Sequence, residues 1–219
     1  MNTMKQIKID FVSDVSCPWC AIGLKSLEQA LAGLQGEIQA SVHFQPFELN
    51  PQMVPEGEEI NEHLLRKYGA TLEQLQGTRN AIRERGAALG FTFSVEARDR
   101  IYNSFDAHRL LHWAGEQGGS LQRDLKLALF TAYFTEGLNP GDHEVLVARA
   151  ASVGLDAASA REVLESGRYA AEVRQREAFY NGQGIHSVPS VIVNDRHLIQ
   201  GGQPPEVFTQ ALRQIAAQG

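Results

Sequence analysis

The β pattern of this chain is confined to its two ends, and a long helical stretch separates them. Near the start, "KQIKIDFVS" (residues 5–13) alternates Ile7, Ile9 and Phe11 with polar neighbours, the period of a strand. "AIGLKSLEQALAGLQG" follows, with Leu24, Leu27, Leu31 and Leu34 on one helical face and Gly36 to end the helix. "SVHFQPFEL" reads as a second strand, with Pro46 at its end, where a missing N–H does little harm. After the loop "NPQMVPEGEE", the pattern from about 60 to 181 is helical throughout. "TLEQ" at 71–74 has the spacing of a capping box, Ser120 is expected to cap a later helix, and Asp142 and Asp156 are N-cap candidates for two more. In the helix after Ser120, Leu121, Leu125, Ala128 and Ala132 share a face. Phe130, Tyr133 and Phe134 widen it, so this helix is expected to be buried nearly all round. The β pattern returns in "SVIVNDRHLIQGG", two short strands about an Asn194–Asp195–Arg196 turn. "QPPEVFTQALRQIAAQG" closes with an amphipathic helix whose stripe is Phe208, Ala211, Leu212 and Ile215. The order strand, helix, strand, helical block, two strands, helix predicts an α/β unit from residues 1–58 and 182–219, interrupted by an all-helical insertion over 59–181.

Composition narrows the function classes. At 219 residues and 43% hydrophobic content, the chain can bury a substantial core without disulfide or metal staples. A net charge of −6 leaves no basic excess to neutralise phosphates, which argues against a nucleic-acid binder. The apolar runs are too short to span a bilayer, so no membrane partner is expected. "MNTMKQIKIDFVSD" contains no apolar stretch of secretory length, and the cytoplasm is the expected location.

The only two cysteines, Cys17 and Cys20, lie in "DVSCPWCAIG", where the first strand gives way to the first helix. A C-x-x-C disulfide closes a very small loop and constrains the unfolded chain little, and a reducing compartment disfavours it as a staple. At the helix start, the Cys17 sulfur should meet unpaired N–H groups and the positive dipole end, which favour the nucleophilic thiolate. Pro18 fits the first helical turn without losing a hydrogen bond. Cys20, about one turn further in, should be less exposed. This asymmetry suits dithiol exchange, in which Cys17 attacks a disulfide and Cys20 resolves the mixed disulfide. Structural zinc needs about four ligands, and neither His186 with His197 nor His108 with His112 follows finger spacing after the cysteines, so no metal is expected.

"SCPWCAIG" after a strand and "HSVPSVIVND" late in the chain resemble the DsbA-like branch of the thioredoxin-fold superfamily, in particular FrnE-type cytoplasmic dithiol oxidoreductases. "NEHLLRKYG", "NSFDAHRLLHWA", "FTEGLNP" and "GGQPPEVFTQAL" extend the resemblance over nearly the whole chain. It implies a thioredoxin fold with the helical domain inserted between its second and third strands, Cys17 and Cys20 as catalytic residues, and a cis bond before Pro189 beside them. Having no N–H, Pro189 would leave the carbonyl and N–H of Val188 free to hold a substrate chain like an added strand. Val188, Pro189, Trp19 and Pro18 are the expected substrate-binding residues. The chain departs from the superfamily at Phe11, where relatives often carry a buried acid six residues before the first cysteine. That leaves water or Asp14 to take the Cys20 proton, although Asp14 reads more readily as a solvated or turn-forming acid, and Asp10 is the other acid nearby. His108 and His112 are read as structural, and His186 as a residue that tunes Cys17 only if it lines the site.

The leading expectation is a thiol–disulfide oxidoreductase or isomerase acting on protein or low-molecular-weight thiols and disulfides. It needs no cofactor beyond the cysteine pair, and glutathione is a candidate substrate. The alternatives are a glutathione-dependent isomerase or transferase of the same fold, and a non-catalytic peptide-binding or chaperone module. The two intact cysteines favour redox chemistry.

Overall fold

The computed structural model describes residues 4–94 and 97–218. The first alternating stretch is strand β1 (Lys5–Ser13), followed by helix α1 (Pro18–Gly33) and strand β2 (Ile38–Pro46). β2 begins three residues earlier than the sequence pattern indicates: Ile38 opens the alternation with polar Gln39 facing out, and Ala40 is too small an apolar residue to mark its inward position. β5 (Ser190–Val193) and β6 (His197–Gln200) complete a four-stranded sheet in the order β2-β1-β5-β6. β1 pairs with β2 in parallel and with β5 antiparallel, and β5 pairs antiparallel with β6. As an inner strand, β1 loses its alternation after Lys8, and every residue from Ile9 to Ser13 is buried. Phe11 stands opposite Phe44 on one side and Val191 on the other, with the Phe11 and Phe44 ring centroids 5.8 Å apart. Asn194 and Asp195, both at positive φ, turn the β5–β6 hairpin. The last helix, α9 (Pro205–Gln218), packs on α1 through a stripe that includes Phe208, Leu212 and Ile215.

Between β2 and β5 lie helices α2 (Ile60–Tyr68), α3 (Leu72–Ala88), α4 (Phe105–Glu116), α5 (Leu121–Phe134), α6 (His143–Ser152), α7 (Ala157–Ser166) and α8 (Ala170–Gly182). The Thr71–Gln74 capping box forms, and Asp142 and Asp156 accept hydrogen bonds from the first-turn amides of α6 and α7. Ser120 does not cap α5; its hydroxyl donates to Asp124 Oδ2 at 2.5 Å. The expectation of helix throughout the middle is also corrected. After α3 the chain turns at Gly90 in the left-handed region, and a two-residue strand β4 (Arg100–Ile101) pairs with β3 (Glu58–Glu59). "GFTF" explains the change, since its alternation buries Phe91 and Phe93, whose rings stack toward Phe134.

Two hydrophobic cores meet at α5. Leu125 and Leu129 join one core with α4, α6 and α7, while Phe130, Tyr133 and Phe134 join the other with the sheet, α1 and α9. α5 is therefore buried nearly all round, and it carries Lys126 inside with it at 1% exposure.

Candidate active site

The turn between β1 and α1 is bolted down by a carboxylate. Asp14 Oδ1 accepts from the Ser16 amide at 3.1 Å, and Asp14 Oδ2 accepts from the Leu49 amide at 2.7 Å. One side chain thus fixes both the entry to α1 and the loop that follows β2. Asp14 is a turn-forming acid, as the sequence indicates, but it is fully buried instead of solvated. His108 Nε2 on α4 stands 3.5 Å from Asp14 Oδ1 and makes no hydrogen bond. Burial raises the Asp14 carboxyl, but His108 and the Leu49 and Ser16 amides outweigh it and hold the carboxyl down at about 2. At that value Asp14 is a poor proton acceptor for Cys20. Asp10 lies elsewhere, paired with Lys8 at 2.9 Å and accepting from Gln45 Nε2 at 2.6 Å.

Cys17 occupies the N-cap of α1 with an extended backbone (φ −94°, ψ 113°), and Pro18 opens the helix. The Cys17 carbonyl accepts from the Cys20 amide at 3.1 Å, which begins the helical ladder. No side chain caps this end, so the positive end of the α1 dipole lies open at Cys17. The sulfur itself lies 3.8 Å from the Val188 carbonyl oxygen. The Val188–Pro189 bond is cis, as the resemblance implies. Cys17 is only 4% exposed and Cys20 is 0% exposed, so the first cysteine is less open than its place at the helix start indicates. Both cysteines are free thiols here.

Gly23 permits the close packing behind the pair. A Cβ placed there would stand 3.0 Å from Pro189 Cγ and 3.3 Å from Gly202 Cα. The proline loop and the turn after β6 therefore press directly on the second turn of α1, and the Gly201 amide donates to the Pro189 carbonyl at 2.8 Å. Half-buried Trp19 carries the Arg85 guanidinium 5.3 Å over its ring, and Arg85 also donates to the Gly202 carbonyl at 2.9 Å. Pro18 borders a small cleft of about 40 Å³ shared with Ile60, Arg79, Ile82, Phe93 and Arg98. Tyr68, at the end of α2, is 60% exposed. His186 is exposed on the loop before Val188 and has no hydrogen bond or ion pair among the described residues.

The environment behind Cys20 escaped the sequence reading. Burial pushes the Cys20 thiol well above its ordinary value, and the neighbouring Cys17 sulfur adds to this. The buried Lys126 ammonium and the backbone at Asp14 act in the opposite direction. Burial in turn draws Lys126 down to about 8, opposed by Cys20, Asp14 and Cys17. A lone lysine in a helix expected to be buried nearly all round was the signal available. A second buried charged group lies beyond Asp14. Burial, with the charge of Glu177, raises the Glu48 carboxyl to about 7, while His108 and Arg174 oppose the shift.

A family model described as "DSBA-like thioredoxin domain" matches residues 8–213. A probable DsbA oxidoreductase from Streptomyces coelicolor superimposes with a TM-score of 0.87 at 34% identity, covering 95% of this chain and 89% of that one. An uncharacterized protein, YwbO, of Bacillus subtilis is 28% identical over 209 residues, 94% of this chain and 96% of its own length. The cytosolic disulfide reductase DsbM from Pseudomonas aeruginosa, solved with GSH, shares the fold at a TM-score of 0.65 and 18% identity, covering 94% of this chain and 98% of that one.

Proposed function

The chain belongs to the DsbA-like thioredoxin-domain family, and we propose that it is a thiol–disulfide oxidoreductase in which Cys17 attacks and Cys20 resolves. The observation that carries this reading is the placement of the Cys17 sulfur at an uncapped helix start, 3.8 Å from the Val188 carbonyl, with Cys20 buried one turn behind it. Attack by the Cys17 thiolate on a substrate disulfide joins Cys17 to one substrate sulfur and releases the other as a thiolate. Attack by Cys20 on the Cys17 sulfur then forms the Cys17–Cys20 disulfide and expels the second substrate thiolate. The substrate is reduced by two electrons and the cysteine pair is oxidised; run backwards, the same steps insert a disulfide.

Val188 and Pro189 form the proposed substrate rail. The Val188 amide has no hydrogen-bond partner among the described residues, so it and the carbonyl can hold an extended peptide beside Cys17. Trp19 and Pro18 supply apolar contact at the mouth. Protein thiols and low-molecular-weight thiols both fit this chemistry, and glutathione is the small substrate favoured by the GSH bound to DsbM. The same reading takes the protein to be a cytoplasmic, FrnE-type member with its helical insertion over 59–181. No helix among the described residues is long and apolar enough to cross a membrane.

Insulin reduction with dithiothreitol as electron donor tests the assignment. Cys17→Ser should abolish turnover. Cys20→Ser should also lose turnover but accumulate mixed disulfides on a non-reducing gel. A parent no faster than dithiothreitol alone, with peptide binding that survives loss of both cysteines, would replace this reading with a peptide-binding module. A glutathione-dependent isomerisation that survives loss of Cys20 would favour a single-thiol enzyme.

A further inference from the structure

Three arginines converge on the two residues that separate the cysteines. Arg79 on α3 and Arg98 on the segment after it line the small cleft bordered by Pro18, and Arg85, also on α3, lies over the Trp19 ring. All three are half-buried, and none has a carboxylate within ion-pair distance among the described residues. Arginines elsewhere do, as in Arg109 with Asp106, Arg149 with Glu136, and Arg174 with Glu48 and Glu177. The contacts of these three are neutral groups instead. Arg79 Nη2 donates to Asn61 Oδ1 at 2.5 Å, and Arg85 donates to the Gly202 carbonyl at 2.9 Å. The Arg98 guanidinium lies 4.9 Å from the Tyr133 ring centroid and 5.1 Å from that of Phe134. Such contacts fix the direction of a guanidinium without neutralising it, which lowers the ordering cost of receiving an anion. Glu59 is the acid that feels the Arg79 charge. The Asn61 amide stands between the two, and Glu59 is tied to the start of α2 by Asn61 Nδ2 at 2.9 Å and the Glu62 amide at 2.7 Å. Glu59 therefore balances at most one of the three charges. The chain as a whole carries −6, so its long-range field repels anions, and any attraction at the cysteines has to be local.

On the oxidoreductase reading above, we propose that Arg79, Arg85 and Arg98 form an anion-recognition site beside Cys17, and that the favoured substrates are peptide disulfides with acidic side chains close to the reacting cysteine. The cleft of about 40 Å³ at Arg79 and Arg98 has room for a few waters or one carboxylate, not for a whole substrate. Arg79 and Arg85 are six residues apart on α3, roughly 9 Å along its axis. That is wider than one carboxylate and matches acids two to three residues apart on an extended chain, at roughly 3.3 Å per residue. A chain held along Val188 and joined to Cys17 has Pro18 and Trp19 beside it, where these guanidinium groups lie. Paired, planar donors suit carboxylates in particular.

Two peptides, EGCGE and its glutamine counterpart QGCGQ, each acetylated, amidated and oxidised to its symmetrical disulfide, test the preference. The reduced protein transfers two electrons to the disulfide, becoming the Cys17–Cys20 disulfide and releasing two peptide thiols, which acid quenching and chromatography count. Each rate is divided by that of dithiothreitol with the same peptide, which removes the intrinsic effect of the acids on the peptide sulfur. The parent should favour EGCGE about fivefold or more at low salt, since charge-assisted pairing acts on one peptide only. Raising salt from about 0.02 M to about 0.5 M should shrink the preference, because the screening length falls from roughly 20 Å to roughly 4 Å. Arg79→Gln with Arg98→Gln should bring the ratio within about twofold of one, and Arg79→Lys with Arg98→Lys should keep at least half of the preference. Arg79→Gln with Arg85→Gln gives the same readout if loss of the Arg98 stacking prevents folding. A parental ratio near one, or a ratio that the glutamine variants leave unchanged while both peptides slow alike, would overturn the recognition site, because a field acting on Cys17 alone does not tell the peptides apart. Preference for glutathione disulfide over its glycine ethyl ester, with none between the two peptides, would overturn the assignment to peptides. Absence of Cys17-dependent reduction of either peptide would instead overturn the oxidoreductase reading.

Discussion

The Cys17 sulfur lies 3.8 Å from the carbonyl oxygen of Val188, a residue 171 positions later in the chain. The contact exists because β1 and β5 are neighbours in the sheet, so the end of one strand and the start of the other open at the same edge. On one side of this junction stands a helix N-terminus, on the other a proline loop, and α5 closes it from behind. Several consequences of this arrangement can be measured.

Gly23 sets how closely the proline loop approaches the cysteines. A Cβ at that position would press on the Pro189 ring at 3.0 Å and the Gly202 backbone at 3.3 Å, and neither can swing aside like the tip of a flexible side chain. Overpacking of this kind costs roughly 1–3 kcal/mol. The better helix propensity of alanine returns about 1 kcal/mol. Gly23→Ala should therefore unfold at a temperature equal to or a few degrees below the parent, but with a clearly lower rate of insulin reduction as the loop is pushed off Cys17. Parental turnover in this variant would show that the close approach is not needed for activity.

Asp14 should support stability in acid. Its carboxyl is held at about 2 against an ordinary 3.8, so the folded state favours the ionised form. That contribution is complete above the unfolded value and is lost as pH falls from about 4 to 2. At about 1.4 kcal/mol per pH unit it amounts to about 2 kcal/mol. Asp14→Asn should lower stability at neutral pH by that order and flatten the parent's decline between pH 4 and 2. Urea midpoints measured across this range check it, and an unchanged acid slope would contradict the role given to Asp14.

Glu48 acts with the opposite sign. Its carboxyl is raised from 4.5 to about 7, so the fold prefers it protonated and stability falls as pH rises from about 4.5 through 7. Glu48→Gln should abolish this loss, so that denaturant midpoints at pH 5 and pH 8 lie closer together than in the parent. Parent and variant losing stability equally between the two values would place the titration elsewhere.

Much of this architecture was legible from short-range signals. Thr71 with Gln74, Asp142, Asp156 and the Asn194–Asp195 turn each form local hydrogen bonds or backbone geometry that their own sequence dictates. Cys17 and Pro18 at the start of α1 belong to the same class. What stayed hidden depends on groups distant in sequence. Asp14 looked solvated because nothing near it reveals that Leu49 and His108 will cover it. "GFTF" looked like part of a helical block because Phe91 and Phe93 are explained only by Phe134. Gly23 reads as a weak helix residue until Pro189 is set against it. Lys126 was the most informative miss, since the apolar pattern of α5 already implied that a charge there would be carried into the interior.

That charge should weaken the resting fold. Burial draws the Lys126 ammonium from 10.5 to about 8, so the folded state disfavours its charged form. The sign follows from linkage. Above the unfolded value both states hold a neutral amine and there is no cost. As pH falls from 10.5 to 8 the unfolded chain takes up the proton more readily than the folded one, and below 8 the full penalty, on the order of 3 kcal/mol, applies. Lys126→Met fills similar volume without the charge, and replacing a buried ion by an apolar residue commonly stabilises a protein. The variant should therefore be more stable than the parent at pH 7 in the reduced form, with the advantage shrinking as pH rises through 8 toward 10.5. Urea unfolding of the reduced proteins at pH 7, 8.5 and 10 measures this directly. An advantage that does not change with pH would mean that methionine stabilises by packing alone and that Lys126 carries no buried charge. A stability gain that declines with pH would identify a charge kept in the core at a cost to the fold.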